Sequence, residues 1–211
     1  MAIRKFSFAP DEIFHCYNRG VDKRAVFEDK QDYGYFLKLL RYFNTSAVRG
    51  NLRSVENKEP INPPVTILAY CLLPNHYHLL VRCNDVEGGL SKYMQRVAGG
   101  YTMYFNQKNS RSGSLFQGKF KANHVDTDSY LRNILAYVGF NFIVHDINEK
   151  SLYRASINYK DELVRGLASS FSEEQMLEVI EIIKEMRKTR QDLVFEHEKV
   201  AGVKSVEDIS T

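Results

Sequence analysis

Two apolar runs joined by a two-residue turn constrain this chain more than any other feature. The runs are VTILAYCLL, residues 65–73, and HYHLLVRC, residues 76–83. Pro74 and Asn75 separate them, and both residue types favour turns. Apolar runs of this length, bounded by turn residues, predict adjacent buried strands. Any fold proposed for the chain must therefore contain this hairpin.

The segments around the hairpin supply the remaining elements. Residues 12–19 predict a strand that ends near Gly20, and the next segment carries apolar residues at helical spacing. These apolar residues are Tyr35, Phe36, Leu39, Leu40 and Phe43. After the hairpin come a predicted helix that contains Gly99, a predicted strand over residues 115–125, and a helix that opens on capping residues at Asp126.

The resulting order, β-α-β-β-α-β followed by a helix, is the ferredoxin-like order. The predicted fold class is therefore α+β, an antiparallel sheet with helices on one face, plus a C-terminal helical extension. Residues 1–150 form the predicted domain and residues 151–211 the extension. Within the extension, residues 172–199 predict a highly charged amphipathic helix.

Composition narrows the class of protein. The chain is 44% hydrophobic and 12% aromatic, which suffices for a core and argues against global disorder. It has no run of 18 apolar residues and no long apolar N-terminal segment, so we expect a cytoplasmic protein without a membrane span. Cys16, Cys71 and Cys83 are odd in number and lack zinc-finger spacing, which predicts buried, reduced thiols.

Basic charge is concentrated in the first 150 residues, which carry 20 Lys and Arg against 14 Asp and Glu. Between Glu87 and Asp126 there is no acidic residue. Six basic residues lie in that interval: Lys92, Arg96, Lys108, Arg111, Lys119 and Lys121. Six aromatic residues are interleaved with them: Tyr93, Tyr101, Tyr104, Phe105, Phe116 and Phe120. Such a segment suits single-stranded nucleic acid, because cations bind phosphates and aromatic rings stack on bases. Aromatic residues buried in a core, beside lysines in solvent, would give the same sequence pattern.

His76 and His78 stand two positions apart in the second strand of the hairpin. Strand alternation places both imidazoles on one face and Tyr77 on the other. Two imidazoles aimed at one point are half of a metal site, although this spacing is also common by chance. His15, in the first predicted strand, could point into the same site, but a lone histidine is more often structural.

Tyr137 and Asn141 are four residues apart in the last helix of the domain, and so share one of its faces. The carbonyl oxygen of an asparagine suits a hard divalent cation such as Mg²⁺ or Mn²⁺. A phenol at Tyr137 could attack an electrophile that this cation holds. Spacing alone equally permits one core residue and one helix-capping residue.

Basic residues outside the helices offer further contacts to phosphate. Arg19, Lys23 and Arg24 surround Gly20 and could form a phosphate-binding turn. Lys119 and Lys121 alternate with a phenylalanine in a predicted strand, which would place two cations on one face.

Taken together, these segments resemble the single-tyrosine HUH transposases, a family that includes insertion-sequence and REP-associated tyrosine transposases. The matching segments follow the family's order over residues 10–150: FHCYNRGVDKRAVFED, LLPNHYHLLV, GSLFQGKFKA and SYLRNILAYVGFN. The resemblance implies an HUH endonuclease core in which His76, His78 and Asn141 bind Mg²⁺ or Mn²⁺ and Tyr137 is the nucleophile. The chain departs from the usual pattern at Phe142, where many relatives have proline, and at Tyr77, where an aliphatic residue is usual.

The activity that this resemblance implies is metal-dependent cleavage and rejoining of single-stranded DNA next to hairpins, through a 5′-phosphotyrosine intermediate. The expected DNA-binding residues are Arg19, Lys23, Arg24, Arg96, Lys119 and Lys121. Relatives act as monomers or as homodimers with shared active sites, and either state is compatible with the sequence. No membrane partner is expected.

Two other functions are compatible with the same residues. One is a non-catalytic module that binds structured single-stranded nucleic acid, as an inactive or domesticated copy would. The other is a zinc hydrolase acting on a small phosphodiester, which would favour a third histidine or a carboxylate as ligand and would not need a phenol beside the metal.

Overall fold

The computed structural model describes five stretches of the chain, with the side chains of residues 140–144 and 154–157 excepted. The stretches are residues 8–45, 60–84, 89–144, 154–158 and 160–164. Within them the elements are β1 Ile13–Arg19, α1 Lys30–Phe43, β2 Val65–Leu73, β3 His76–Cys83, α2 Gly89–Lys108, β4 Lys121–Val125, α3 Asp128–Val144 and β5 Arg154–Ile157. The predicted order of elements is confirmed as far as α3.

The strands form one sheet in the order β4-β1-β3-β2-β5, and every neighbouring pair is antiparallel. The first four strands have the ferredoxin-like arrangement, so the predicted α+β class is confirmed. Strand β5, which was not predicted, extends the sheet beside β2. The amphipathic helix predicted over residues 172–199 lies outside the described residues.

The two faces of the sheet bury different helices. Tyr77, Leu79 and Val81 of β3 face the core that α1 and α2 cover. Leu80 of the same strand faces the second core, where α3 packs through Ile134 and other apolar residues. The prediction of helices on one face thus holds for α1 and α2, while α3 occupies the opposite face. Within the described residues, no helix combines the length and apolar surface that crossing a membrane would require.

A buried carboxylate ties the start of α1 to the end of α2. Asp29 caps α1 by accepting from the backbone N–H groups of Gln31 and Asp32. The Asp32 side chain is fully buried and accepts from Lys108 Nζ at 2.6 Å and from the Tyr104 hydroxyl at 3.0 Å. Burial opposes the charge on Lys108, but its bonds to Asp29 and Asp32 outweigh that effect and raise its pKa. The two helices are therefore joined by charge as well as by apolar contact.

Four of the six interleaved aromatic residues are core residues. Tyr93, Tyr101, Phe105 and Phe116 are all buried in the core under α1 and α2. Two of their hydroxyls donate to buried carbonyls, that of Tyr93 to Leu40 at 3.0 Å and that of Tyr101 to Val26 at 2.5 Å. Of the two interpretations that the sequence left open, core packing is therefore the one that holds for these four side chains. Cys16, Cys71 and Cys83 are all buried, as predicted.

Strand β4 is shorter than the strand predicted over residues 115–125. It begins at Lys121, and Phe116 makes only an isolated bridge with Gly20. Between them Gly118 has a φ of 130°, a conformation that side-chain-bearing residues rarely adopt, and its carbonyl accepts from Asn18 Nδ2 at 2.9 Å. This glycine interrupts the ladder, so Lys119 lies before the strand.

Candidate active site

His76 and His78 lie in the central strand β3 and project from the face that α3 covers. Both are almost completely buried, at 2% and 1% exposure, and their ring centroids are 5.0 Å apart with the planes nearly perpendicular. Strand alternation predicted this shared face, and the structure confirms it. Tyr77 faces the opposite core, where burial raises the pKa of its phenol.

Tyr137 reaches the histidine pair from α3. Its ring centroid is 5.3 Å from that of His78 and 6.0 Å from that of His15, with an edge-to-face arrangement in both contacts. The structure thus brings Tyr137 and the histidine pair together, although they are distant in sequence. Asn141 follows Tyr137 by one turn in α3, and its side chain is among those left undescribed.

His15 contacts the site directly, a position that the sequence analysis named as possible while it favoured a structural role. Its Nε2 and His78 Nδ1 share a hydrogen bond of 2.8 Å, and the two rings stack with centroids 5.0 Å apart. His15 alternates with the core residue Cys16, so its face was predictable once β1 was recognised. Which strand lies beside β1, and in which register, could not be predicted, because strand pairing joins residues that are distant in the chain.

Tyr17 is a second phenol at the site that sequence reasoning did not single out. It is buried, stacks on His15 with centroids 5.2 Å apart, and lies 6.1 Å from His78. Tyr130 of α3 is also buried on this side of the sheet. Burial raises the pKa of Tyr130, and the nearby Tyr17 and Asp126 raise it further, so this phenol stays neutral.

Asn75 holds His76 from the hairpin turn. Its Oδ1 lies 2.6 Å from His76 Nδ1, and its Nδ2 donates to the Lys23 carbonyl at 3.2 Å. The Nδ1 atoms of both candidate ligands are thus engaged by neighbouring side chains. In each ring Nε2 is the nitrogen that remains for a metal ion.

The donor set fits a divalent cation in its chemistry. Among the described residues, no group of three or more His, Cys, Asp or Glu side chains could hold a metal ion. The candidate set is instead two imidazoles together with the amide predicted at Asn141, which are all neutral ligands. A cation held by neutral ligands keeps its full charge for a phosphate. His15 bonds to His78 and is therefore a supporting residue for this set.

Two of the predicted DNA-binding residues lie beside the histidines. Arg19 pairs in register with His76 across β1 and β3. Lys121 is exposed at the start of β4, with its Nζ 6.0 Å from the Tyr17 ring centroid. Because Tyr17 pairs with both Lys121 and His78, these three residues form a row across the sheet.

The other predicted DNA-binding residues lie farther out. Lys23 and Arg24 are exposed in the turn after β1, and Arg24 lies 3.6 Å from Asp22. Lys119 is exposed just before β4. Arg96 is exposed on α2, and so lies on the side of the sheet opposite the histidines.

Comparisons with known proteins gave one family model and several solved structures that match this chain. The family model described as IS200-like transposase matches residues 41–141, a span that includes both histidines, Tyr137 and Asn141. Eight chains of solved structures match the fold. One is described as a REP-associated tyrosine transposase bound to a REP hairpin; it has a TM-score of 0.52 and 13% identity, covering 71% of this chain and 77% of that chain. No curated protein matches.

Proposed function

We propose that this chain, which belongs to the IS200-like transposases, is a metal-dependent single-stranded DNA endonuclease and strand transferase. It acts next to hairpins and forms a 5′-phosphotyrosine intermediate. The observation that carries the proposal is the contact between the rings of Tyr137 and His78, whose centroids are 5.3 Å apart. It places a phenol beside two imidazoles on one face of the sheet. A nucleic-acid-binding module without catalysis has no use for that combination.

His76, His78 and Asn141 would hold Mg²⁺ or Mn²⁺. When bound, the cation would draw charge from the phosphate oxygens and so stabilise the transition state at phosphorus. The residues of the chain supply the remaining parts of the reaction, which are the nucleophile, its position and the binding of the strand.

Tyr137 is the nucleophile in this proposal. Its oxygen forms a bond to the phosphorus while the bond from phosphorus to the 3′ oxygen breaks. The phenol gives up one proton and the departing 3′ oxygen takes one up, which leaves a 3′-hydroxyl and a 5′-phosphotyrosine. Attack by the 3′-hydroxyl of a second strand reverses these bond changes, so the DNA is rejoined without an external energy source.

The basic residues would hold the strand around this centre. Arg19 and Lys121 are the proposed contacts nearest the scissile phosphate, since they neighbour the histidines across the sheet. Lys23, Arg24 and Lys119 are exposed around them. Arg96 would contact DNA only outside the cleavage site. The homodimer that some relatives form stays a prediction.

The proposal is tested with the full chain and labelled single-stranded hairpin DNA taken from the sequences that flank its gene. Products of incubation with Mn²⁺ or Mg²⁺ are resolved on a denaturing gel for the wild type, Tyr137→Phe and Tyr17→Phe. We expect a protein-linked band that requires the metal, vanishes in Tyr137→Phe and persists in Tyr17→Phe.

Tyr17→Phe is the matched control, because it removes the other phenol that lies close to His78. A band lost only in Tyr17→Phe would move the nucleophile to β1. Binding without any covalent band, across several flanking sequences, would refute the enzyme and leave the non-catalytic binding module.

A further inference from the structure

We propose that Asn75 is a positioning residue that sets the tautomer of His76 and links this ligand to the basic turn formed by residues 20–24. The inference rests on the proposed function, since it concerns how His76 is prepared to bind a metal.

The Lys23 carbonyl determines the orientation of the Asn75 amide. A backbone carbonyl can only accept a hydrogen bond, so the Asn75 atom that faces it at 3.2 Å must be Nδ2. The other amide atom, Oδ1, is then the one that lies 2.6 Å from His76 Nδ1. An amide oxygen has no proton to give, so His76 must donate through Nδ1–H.

This bond decides which nitrogen of His76 can bind a metal. A neutral imidazole carries one ring proton, and with that proton on Nδ1 the lone pair is on Nε2. Partners that fix the tautomer of a ligand histidine typically raise metal affinity by about 10- to 100-fold. Asn75 therefore prepares His76 before any cation arrives.

The basic turn is clamped onto the hairpin turn that carries Asn75. The Gly20 N–H donates to the Asn75 carbonyl at 2.9 Å, and the N–H groups of Val26 and Phe27 donate to the Pro74 carbonyl at 2.7 and 3.0 Å. With the amide bond to the Lys23 carbonyl, four hydrogen bonds join residues 20–27, which include the basic turn, to the hairpin turn. A phosphate that binds Lys23 or Arg24 would therefore contact a segment that is hydrogen-bonded to Asn75, the residue that orients His76.

Asn75→Ala and Asn75→Asp separate the two contacts. Alanine loses both of them, whereas aspartate keeps an acceptor for His76 and loses the donor to Lys23. In metal-free full-length protein, ¹⁵N NMR of the histidine rings should show His76 as the Nδ1–H tautomer in the wild type and in Asn75→Asp. It should show a mixture of both tautomers in Asn75→Ala.

Mn²⁺ binding, followed by electron paramagnetic resonance, gives the second readout. We expect Asn75→Ala to bind Mn²⁺ about 10- to 100-fold more weakly than the wild type, and Asn75→Asp to bind at least as tightly. Asn84→Ala is the matched control. Asn84 also bridges two segments by its amide, to Thr66 and to Pro63, but at the far end of β3.

An Asn75→Ala protein with the wild-type tautomer and wild-type Mn²⁺ affinity would overturn the inference. If Asn75→Ala fails to fold, Asn75→Asp decides. The inference would be overturned if His76 in Asn75→Asp no longer had the Nδ1–H tautomer that the wild type shows. A wild type that shows the Nδ1–H tautomer but binds no Mn²⁺ would contradict the proposed metal chemistry while supporting the role of Asn75.

Discussion

At the scale of single residues, the site is a cluster of aromatic and imidazole rings with little charge of its own. His15, Tyr17, His78 and Tyr137 contact one another through ring faces and edges, and all four are at most 5% exposed. Such packing restricts each ring to one orientation, which is what a metal ligand and a nucleophile require. In the proposed reaction, the charge that phosphate chemistry needs would come from the cation and from the basic residues around the cluster.

His15 is expected to support metal binding through His78. In His15→Phe the ring stack remains, but the 2.8 Å hydrogen bond to His78 Nδ1 is lost. We expect Mn²⁺ affinity to fall by about tenfold, measured by isothermal titration calorimetry, because the tautomer of His78 is then unconstrained.

His124→Phe is the control for this prediction. His124 belongs to the adjoining strand and contacts Phe14 on the other face, so its replacement should leave Mn²⁺ affinity unchanged. Equal Mn²⁺ affinity in His15→Phe and the wild type would show that His15 only fills space.

At the scale of elements, the site depends on β1, β3 and α3 meeting at one end of the sheet. β3 is central, β1 lies beside it, and α3 packs over β2 and β3 on the face that holds the histidines. The basic turn that follows β1 packs against the β2–β3 turn and is hydrogen-bonded to it. Gly20 permits that close approach, because a Cβ there would lie 2.4 Å from the Arg24 carbonyl oxygen and 2.8 Å from a Val26 methyl carbon.

Gly20→Ala is therefore expected to destabilise the protein. The added methyl meets backbone, which yields less readily than a side chain, so we expect a loss of about 1–3 kcal/mol in the free energy of unfolding. Urea unfolding followed by circular dichroism measures this loss.

Gly34→Ala is the matched substitution within α1. A Cβ at Gly34 meets nothing within 4 Å, so alanine there should stabilise the protein by about 0.5–1 kcal/mol. A Gly20→Ala protein as stable as the wild type would mean that the turn relaxes without cost.

At the scale of the whole molecule, the two faces of the sheet have separate tasks. The face under α1 and α2 is a conventional core, completed by the ion pairs of Lys108 with Asp29 and Asp32. The face under α3 holds the candidate site. Residues beyond 150 join the same sheet through β5 and through the Arg82–Asp161 ion pair at 2.8 Å. The division at residue 150 stays a prediction.

Lys121 and Arg96 are exposed cations on opposite sides of the sheet, so we expect their replacement to affect DNA binding and cleavage differently. Lys121→Ala should weaken binding of single-stranded hairpin DNA, reduce the salt dependence by about 0.7 in log–log slope, and lower the yield of the covalent product. Arg96→Ala, on the opposite face, should weaken binding and leave the covalent yield at saturating DNA unchanged. Filter binding over a salt series and the denaturing gel measure these quantities. A loss of covalent yield at saturation in Arg96→Ala would contradict this assignment of faces.

Local patterns in the sequence determined much of this protein. The hairpin at Pro74-Asn75, the shared face of His76 and His78, and the helix that carries Tyr137 follow from turn chemistry and from periods of two and 3.6 residues. The family resemblance assigned roles to these residues. Each of these inferences uses residues that are close together in the chain, where geometry is set by the backbone.

The tertiary structure alone decided which segments meet. It placed His15 against His78 and Tyr17 at the site, buried four of the interleaved aromatics, and linked Asn75 to the basic turn. All of these contacts join segments that are distant in the chain. Register and packing are settled by the summed burial and hydrogen bonding of the whole core. No local pattern carries that sum, so these contacts could not be predicted from the sequence.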